Sequence, residues 1–74
     1  MQKSIHTQEY RLMVAMLRSE RERLQITQAD LAERLGITAS QLSKWERRER
    51  RIDLLELDKY CRAAGINLAD FVQQ

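Results

Sequence analysis

The chain has 74 residues, of which 32% are charged and 43% hydrophobic, with a formal net charge of +2, two glycines and no proline. This length accommodates one small domain, and abundant helix formers without proline favour an all-α fold. The single cysteine, Cys61, cannot form an internal disulfide, so an oxidising compartment is not required. The sequence has neither a signal-peptide pattern nor an apolar run of about 18 residues, so we expect a soluble, cytoplasmic protein.

Five helices are predicted from apolar spacing and from capping residues. At four sites a Thr, Asp or Asn stands three positions before an acidic or amide side chain, a pairing that satisfies unpaired N–H groups at helix starts. The pairs are Thr27/Asp30, Thr38/Gln41, Asp53/Glu56 and Asn67/Asp70. Gly36 and Gly65 favour helix ends, because glycine takes positive φ without a Cβ penalty. The sequence therefore predicts a compact bundle of five short helices, at about 7–24, 28–35, 39–47, 54–64 and from 68 to the end.

Apolar residues at helical spacing predict the side chains of the core. The expected core comprises Met13, Val14, Leu17, Leu24, Leu31, Ala32, Leu35, Ile37, Leu42, Trp45, Leu55, Leu57, Tyr60, Cys61, Ala64, Ile66, Leu68 and Phe71. We interpret Trp45 as a packed side chain rather than a base-stacking residue, and Cys61 as packed rather than as a nucleophile or ligand. On the first helix, Leu12, Ala15 and Met16 either pack under the fifth helix or form a dimer face, and we expect the former.

Positive charge is concentrated in one segment. Residues 44–51 contain five cations and two anions, a net charge of +3, whereas residues 52–74 contain two cations and four anions, a net charge of −2. This asymmetry suits a protein with one face toward nucleic acid. A solvated, salt-bridged surface segment would have the same charge pattern.

Residues 27–46 have the pattern of two short helices joined by a tight turn. Gly36 separates the helices, and the small Ala32 lies where the second must approach the first closely. Small polar residues lie on the outward side of the second helix, as in a helix-turn-helix motif that enters the DNA major groove. On a helix that starts at Ala39, the outward positions are Ala39, Ser40, Ser43, Lys44 and Arg47.

This segment resembles the Cro/repressor-type (Xre) helix-turn-helix family, whose pattern runs T-Q-x-x-L-A-x-x-L-G-(I/V)-(T/S)-x-x-x-(I/L)-S-x-(W/I/Y)-E. The matching residues are Thr27, Gln28, Leu31, Ala32, Leu35, Gly36, Ile37, Thr38, Leu42, Ser43, Trp45 and Glu46. The similarity continues through residues 54–57 and 64–68. It implies a single lambda-repressor-like DNA-binding domain over residues 1–74, with the motif at about 27–47 formed by helices 2 and 3.

The resemblance and the helix geometry together assign the DNA contacts. Base edges are expected to be read by Ala39, Ser40, Ser43 and Lys44. Phosphates are expected to be contacted by Gln28, Thr38, Gln41, Arg47, Arg48, Arg50 and Arg51, with Thr38 and Gln41 also serving as caps. The resemblance also implies an ion pair between Arg21 and Glu46 that orients the second motif helix. Arg48 stands where the family usually has glycine, so it either takes a left-handed conformation or continues the helix.

These observations predict a sequence-specific, double-stranded DNA-binding transcriptional regulator of repressor type that binds an inverted-repeat operator as a homodimer. The dimer is expected to use the fifth helix, through Leu68, Phe71 and Val72, or the spare face of the first. The alternative is a protein-interaction module, such as an adaptor or the antitoxin of a toxin–antitoxin pair.

Other classes of function are not expected. The sequence has no nucleophile–base pair, metal-ligand cluster or phosphate-binding glycine loop, so we expect no enzyme activity, cofactor, metal, small-molecule ligand or membrane partner. The resemblance implies a bacterial or phage protein that associates with the nucleoid when it binds DNA.

Overall fold

The computed structural model describes residues 7–72, with the side chains of Phe71 and Val72 outside the described part. The described residues form four helices followed by a single helical turn. These are α1 (Gln8–Arg23), α2 (Gln28–Leu35), α3 (Ala39–Glu46), α4 (Leu54–Ala64) and the turn Ala69–Val72. The expected all-α fold is confirmed, and α1–α4 begin and end within one residue of the predicted bounds.

The fifth helix is the exception, because only one turn of four residues forms within the described part of the chain. A single turn leaves most of its N–H and C=O groups without helical partners, so it is not a self-supporting element. The expected cap also differs. Asn67 Oδ1 accepts the N–H of Ala69 at 3.0 Å, which is an Asx turn, whereas the N–H of Asp70 bonds the Asn67 carbonyl at 3.0 Å.

Side-chain caps start all four helices. In each, an oxygen accepts the N–H three residues later at 2.7–3.1 Å, and the capping residues are Thr7, Thr27, Thr38 and Asp53. The reciprocal bond forms in α3 and α4, where Gln41 and Glu56 each accept the N–H of the capping residue at 2.9 Å. It does not form at Thr27, where the partner is the shorter Asp30. Each cap contributes about 1 kcal/mol to helix stability.

All four helices end in one type of turn, in which a left-handed residue is followed by a residue whose N–H bonds a carbonyl five positions back, at 2.8–3.1 Å. Gly36 (φ 72°) and Gly65 (φ 75°) occupy the left-handed position after α2 and α4. Gln25 (φ 62°) and Arg48 (φ 60°) occupy it after α1 and α3. A left-handed backbone costs a residue with a Cβ about 1 kcal/mol, so Gln25 and Arg48 are strained.

One core fills the space between the four helices. Its buried apolar residues are Tyr10, Val14, Leu17, Ile26, Leu31, Ala32, Leu42, Trp45, Ile52, Leu57, Tyr60, Cys61 and Ala64. Partly buried side chains that pack against it are Met13, Leu35, Ile37, Ala63, Ile66 and Leu68. Most of the predicted core is therefore confirmed as buried or packed against the core, while the expected core residue Phe71 lies outside the described side chains.

Two core assignments are wrong, because Leu24 is 37% exposed and Leu55 is 73% exposed. Leu24 follows the last residue of α1. Leu55 lies in the first turn of α4 on the exposed side, and the first buried residue of this helix is Leu57. Three further residues, Tyr10, Ile26 and Ile52, are buried although they were not among the predicted core. Ile26 and Ile52 lie in connections between helices, where helical spacing gives no signal.

Of the spare apolar residues of α1, Leu12 and Ala15 do not pack as expected, whereas Met16 borders the same surface depression as Ile66 and Asn67. Leu12 is 60% exposed and Ala15 is exposed, while Met16 is half-buried. The described part of the C-terminal segment therefore leaves Leu12 uncovered. The molecule extends 35 × 26 × 20 Å along its principal axes.

Candidate nucleic-acid interface

α2 and α3 pack on each other and on the rest of the bundle through their inner sides, with α2 also against α4 and α3 against α1. Leu31 and Leu42 have no exposed surface, and Ala32 is 2% exposed. The N–H of Ile37 returns to the carbonyl of Ala32 at 3.0 Å, which closes the turn around Gly36. Close packing and a three-residue connection therefore fix α3 relative to α2, as a helix-turn-helix requires.

α3 has one buried side and one polar side. Leu42, Trp45 and Glu46 are buried, at 0%, 6% and 4% exposure. The four residues expected to read bases lie on the opposite side: Ala39, Ser40 and Lys44 are exposed and Ser43 is half-buried. Within residues 7–72, the side chains of Ser40, Ser43 and Lys44 make no hydrogen bond or ion pair.

The α3–α4 loop presents four arginines, two of which have internal partners. Arg47 Nη2 lies 3.3 Å from Glu49 Oε1, and Arg50 Nη2 lies 3.6 Å from Glu56 Oε2. These pairs are largely exposed, so they hold the arginines weakly. Arg48 is half-buried and Arg51 is exposed; neither side chain has a polar partner in the described part of the chain.

Arg48 takes the left-handed conformation, and α3 ends at Glu46 rather than continuing. The N–H of Arg48 bonds the Trp45 carbonyl at 3.0 Å, and the N–H groups of Glu49 and Arg50 bond the Lys44 carbonyl at 2.8 and 3.3 Å. These three amides are therefore occupied within the protein. Phosphate contacts from residues 48–50 must come from side chains.

The residues expected at phosphates near the helix starts already make internal hydrogen bonds. Thr38 and Gln41 form the reciprocal cap of α3, which leaves the Gln41 amide nitrogen outside the cap. Gln28, the first residue of α2, is half-buried and donates from Nε2 to Glu46 Oε1 at 2.9 Å. The Gln28 side chain is thus directed partly inward. Besides this side chain, the start of α2 presents main-chain N–H groups, which are donors for an anion.

A buried carboxylate joins all four helices. Glu46 accepts two bonds from Arg21, from Nε to Oε2 at 2.7 Å and from Nη2 to Oε1 at 2.9 Å. The Tyr60 hydroxyl donates to Oε2 at 2.7 Å, and Gln28 adds the bond described above. Arg21 Nη1 also donates to the Ile26 carbonyl at 2.7 Å. These contacts link α3, which carries the polar side, to α1, α2 and α4.

The charges of this cluster are stabilised against burial. Burial disfavours the charged form of Glu46, but the hydrogen bonds from Arg21, Gln28 and Tyr60 outweigh it and lower the pKa of the carboxyl. Burial also opposes the charge of Arg21, and the contacts with Glu46 more than compensate, so the pKa of the guanidinium is raised. Burial, followed by the bond to Glu46, raises the pKa of Tyr60. Arg21 and Glu46 are therefore charged and Tyr60 is neutral near pH 7.

The predicted partners Arg21 and Glu46 are in bidentate contact. The bonds from Tyr60 and Gln28 to Glu46 were not predicted, because Tyr60 matches the core spacing and Gln28 matches a phosphate-binding position in the family pattern. The Tyr10 hydroxyl, also missed, accepts the Ile52 N–H at 2.9 Å. No sequence signal distinguishes these polar contacts from ordinary packing.

Other chemistry has little support in the described residues. Within residues 7–72 no group of His, Cys, Asp and Glu could hold a metal ion. Burial, with a smaller contribution from Asp58, raises the pKa of Cys61 to about 11, which keeps this buried thiol protonated. The same residues include no helix that is long and apolar enough to cross a membrane.

Comparison with known families agrees with this geometry. The family model described as helix-turn-helix matches residues 17–71, which include α2, α3, α4 and the Arg21–Glu46 pair. No curated protein shows a significant match to the chain. The match covers well over half of the 74 residues. The chain therefore belongs to the helix-turn-helix family and is a DNA-binding regulator of the Cro/Xre type.

Proposed function

We propose that the protein is a repressor that binds an inverted-repeat operator as a homodimer, with α3 in the major groove of each half-site. The observation that carries this proposal is the division of α3 into a buried side and an unoccupied polar side. Leu42, Trp45 and Glu46 attach the helix to the bundle, whereas Ser40 and Lys44 are exposed without internal partners in residues 7–72. Polar groups that the fold does not use are available to base edges.

The chemistry of the polar side suits direct readout. The Lys44 ammonium donates to the O6 and N7 acceptors of guanine, and the Ser40 and Ser43 hydroxyls donate or accept at several base edges. The Ala39 methyl packs on the thymine methyl. In this arrangement Arg51, an exposed cation without an internal partner, contacts phosphate and adds affinity that does not depend on sequence.

The size of the domain favours a dimer. One α3 reaches only a few base pairs, and specific affinity requires more contacts than one such module makes. Two half-sites on one face of the duplex lie about 34 Å apart, and two copies of a molecule measuring 35 × 26 × 20 Å reach this separation side by side. Occupancy of an operator that overlaps a promoter is sufficient for repression, so this role needs only the surface described above.

Selection of binding sites from a random duplex pool at near-physiological salt tests the proposal. We expect enrichment of an inverted repeat with half-site centres about one helical turn apart. Enrichment of unpaired half-sites would retain base readout and contradict the homodimer. Absence of any enriched sequence would contradict base readout, and the polar side of α3 would then serve a protein partner, such as the toxin of a toxin–antitoxin pair.

A further inference from the structure

We propose that a cleft beside Trp45 is a binding site for a small monocarboxylate with a compact apolar body. The cleft lies where the end of α2, α3, the α3–α4 loop and α4 meet, and its volume is about 150 Å³. It is named here the Trp45 cleft. The inference departs from the expectation of no small-molecule ligand, and it does not depend on the proposed repressor role.

The apolar side of the Trp45 cleft limits the size of the ligand. It is formed by Leu35, Ile37 and Trp45. Leu35 and Ile37 are half-buried and pack against the core, and Trp45 is 6% exposed, so core packing holds all three in place. An engineered apolar cavity of about 150 Å³ binds benzene. The apolar body of the ligand is therefore no larger than a benzene ring.

One donor of the wall has no acceptor. Nε1 of Trp45 is buried and makes no hydrogen bond within residues 7–72. A buried donor without an acceptor is unfavourable, and buried indole N–H groups usually have a partner. In the proposed complex the exposed side chains at the rim turn aside, a rearrangement that is common on binding, and a ligand oxygen accepts this N–H.

The charged rim of the Trp45 cleft favours an anion. Its charged residues are Arg50, Lys59 and Glu56, two cations and one anion, which give a net charge of +1. Glu56 already accepts the Asp53 N–H at 2.9 Å and lies 3.6 Å from Arg50. Lys59 is exposed and makes no ion pair or hydrogen bond in the described part of the chain. A single carboxylate balances this charge, which indicates a monoanion.

The Gln41 amide adds a neutral donor at the rim. Its Oε1 accepts the Thr38 N–H at 2.9 Å in the cap of α3, which leaves Nε2 for an outside acceptor. Together with the Trp45 indole and the Lys59 ammonium, the cleft has three donors without an acceptor among residues 7–72. A carboxylate only accepts hydrogen bonds, and its two oxygens can accept several. The excess of donors and the apolar wall together specify the class of ligand.

The test is a titration of the isotope-labelled full chain with isovalerate, followed by proton–nitrogen correlation spectra at neutral pH and constant ionic strength. The chain has one tryptophan, so its indole N–H gives a single resonance. Isovalerate has no aromatic ring and causes no ring-current shift, so a downfield movement of this resonance reports a hydrogen bond. We expect a saturable downfield shift with a dissociation constant in the millimolar range.

Two other anions separate this ligand class from simpler ones. Acetate lacks the apolar body and should bind at least about tenfold more weakly than isovalerate. Inorganic phosphate stands in for a DNA phosphate and should cause no saturable shift. Absence of a saturable shift with isovalerate, or an equal response to acetate or phosphate, would overturn the proposal.

The double variant Arg50→Gln/Lys59→Gln removes both cations of the cleft. The matched control, Arg51→Gln/Arg62→Gln, removes two exposed cations of the same loop and helix that do not line it. We expect isovalerate to bind at least about fivefold more weakly to the first variant and less than about twofold more weakly to the control. Thermal unfolding checks that each variant is folded, and Lys59→Gln alone replaces the double variant if the latter is unfolded. Equal weakening in the cleft variant and the control would overturn the site.

Discussion

Replacement of Glu46 by glutamine tests how the recognition helix is held. The substitution preserves side-chain size but leaves the Arg21 guanidinium, whose residue is 6% exposed, without a counter-ion. It also places an amide NH₂ group among donors from Arg21, Gln28 and Tyr60, which now bond to the carboxylate. Removing one partner of a buried ion pair costs about 3–5 kcal/mol. Because one amide oxygen still accepts hydrogen bonds, we expect a loss near the lower limit, about 3 kcal/mol.

That loss is large for this domain. Total stability of about 0.05–0.15 kcal/mol per residue gives roughly 4–11 kcal/mol for a chain of this length. A change of 1 kcal/mol shifts the unfolding temperature by about 4–8 °C in a domain of this size, so we expect a decrease of about 12 °C or more. The variant should therefore be partly unfolded under mild heating or low denaturant.

Urea unfolding monitored by the fluorescence of the single tryptophan, Trp45, and by circular dichroism measures this loss. The matched control is Glu49→Gln, which removes a carboxylate whose bond to Arg47 is exposed. We expect the control to change the free energy of unfolding by less than about 0.5 kcal/mol. If Glu46→Gln changed it as little as Glu49→Gln, the account of the cluster as the anchor of α3 would be refuted.

Three further predictions concern acid stability, backbone strain and phosphate contact. The pKa of Glu46 is lowered from a usual value of 4.5, so its contribution to stability is present above that value and is lost as pH falls through the folded-state pKa. Urea titrations from neutral pH to about pH 3 should therefore show a smaller loss of stability on acidification for Glu46→Gln than for wild type. Arg48→Gly and Gln25→Gly should each raise the free energy of unfolding by about 0.5–1 kcal/mol, because glycine relieves left-handed strain but gains entropy when unfolded. Unchanged or lowered stability in both would contradict the strain. Arg51→Ala should reduce the slope of log affinity against log salt by about 1 on any duplex, while the control Arg62→Ala, whose guanidinium bonds Asp58 on α4 at 2.9 Å, should not.

Local sequence features predicted the helices well because the deciding interactions are local. The capping threonines act on amides three residues away, and Gly36 and Gly65 end helices by their own backbone preference. Position 48 shows the limit of this reasoning. An arginine there left two conformations open, and the left-handed one forms because the turn satisfies three amides with α3 carbonyls.

Features that depend on distant residues were not accessible from the sequence. Leu54, Leu55 and Leu57 stand almost together, and only the orientation of α4 on the bundle decides that Leu57 is buried and the other two are exposed. Glu46 and Tyr60 are 14 positions apart, and their bond depends on α3 packing near α4. Such contacts are set by tertiary packing, which overrides local spacing.

The affinity of Lys44→Ala for a selected operator and for random duplex most directly tests whether the polar side of α3 reads bases. Lys59→Ala is the matched control, because Lys59 is an exposed lysine of equal charge on α4. We predict that Lys44→Ala weakens operator binding by about 1–3 kcal/mol and random binding far less, while Lys59→Ala weakens both equally and slightly. Equal losses for Lys44→Ala on the two duplexes would contradict base readout by this helix.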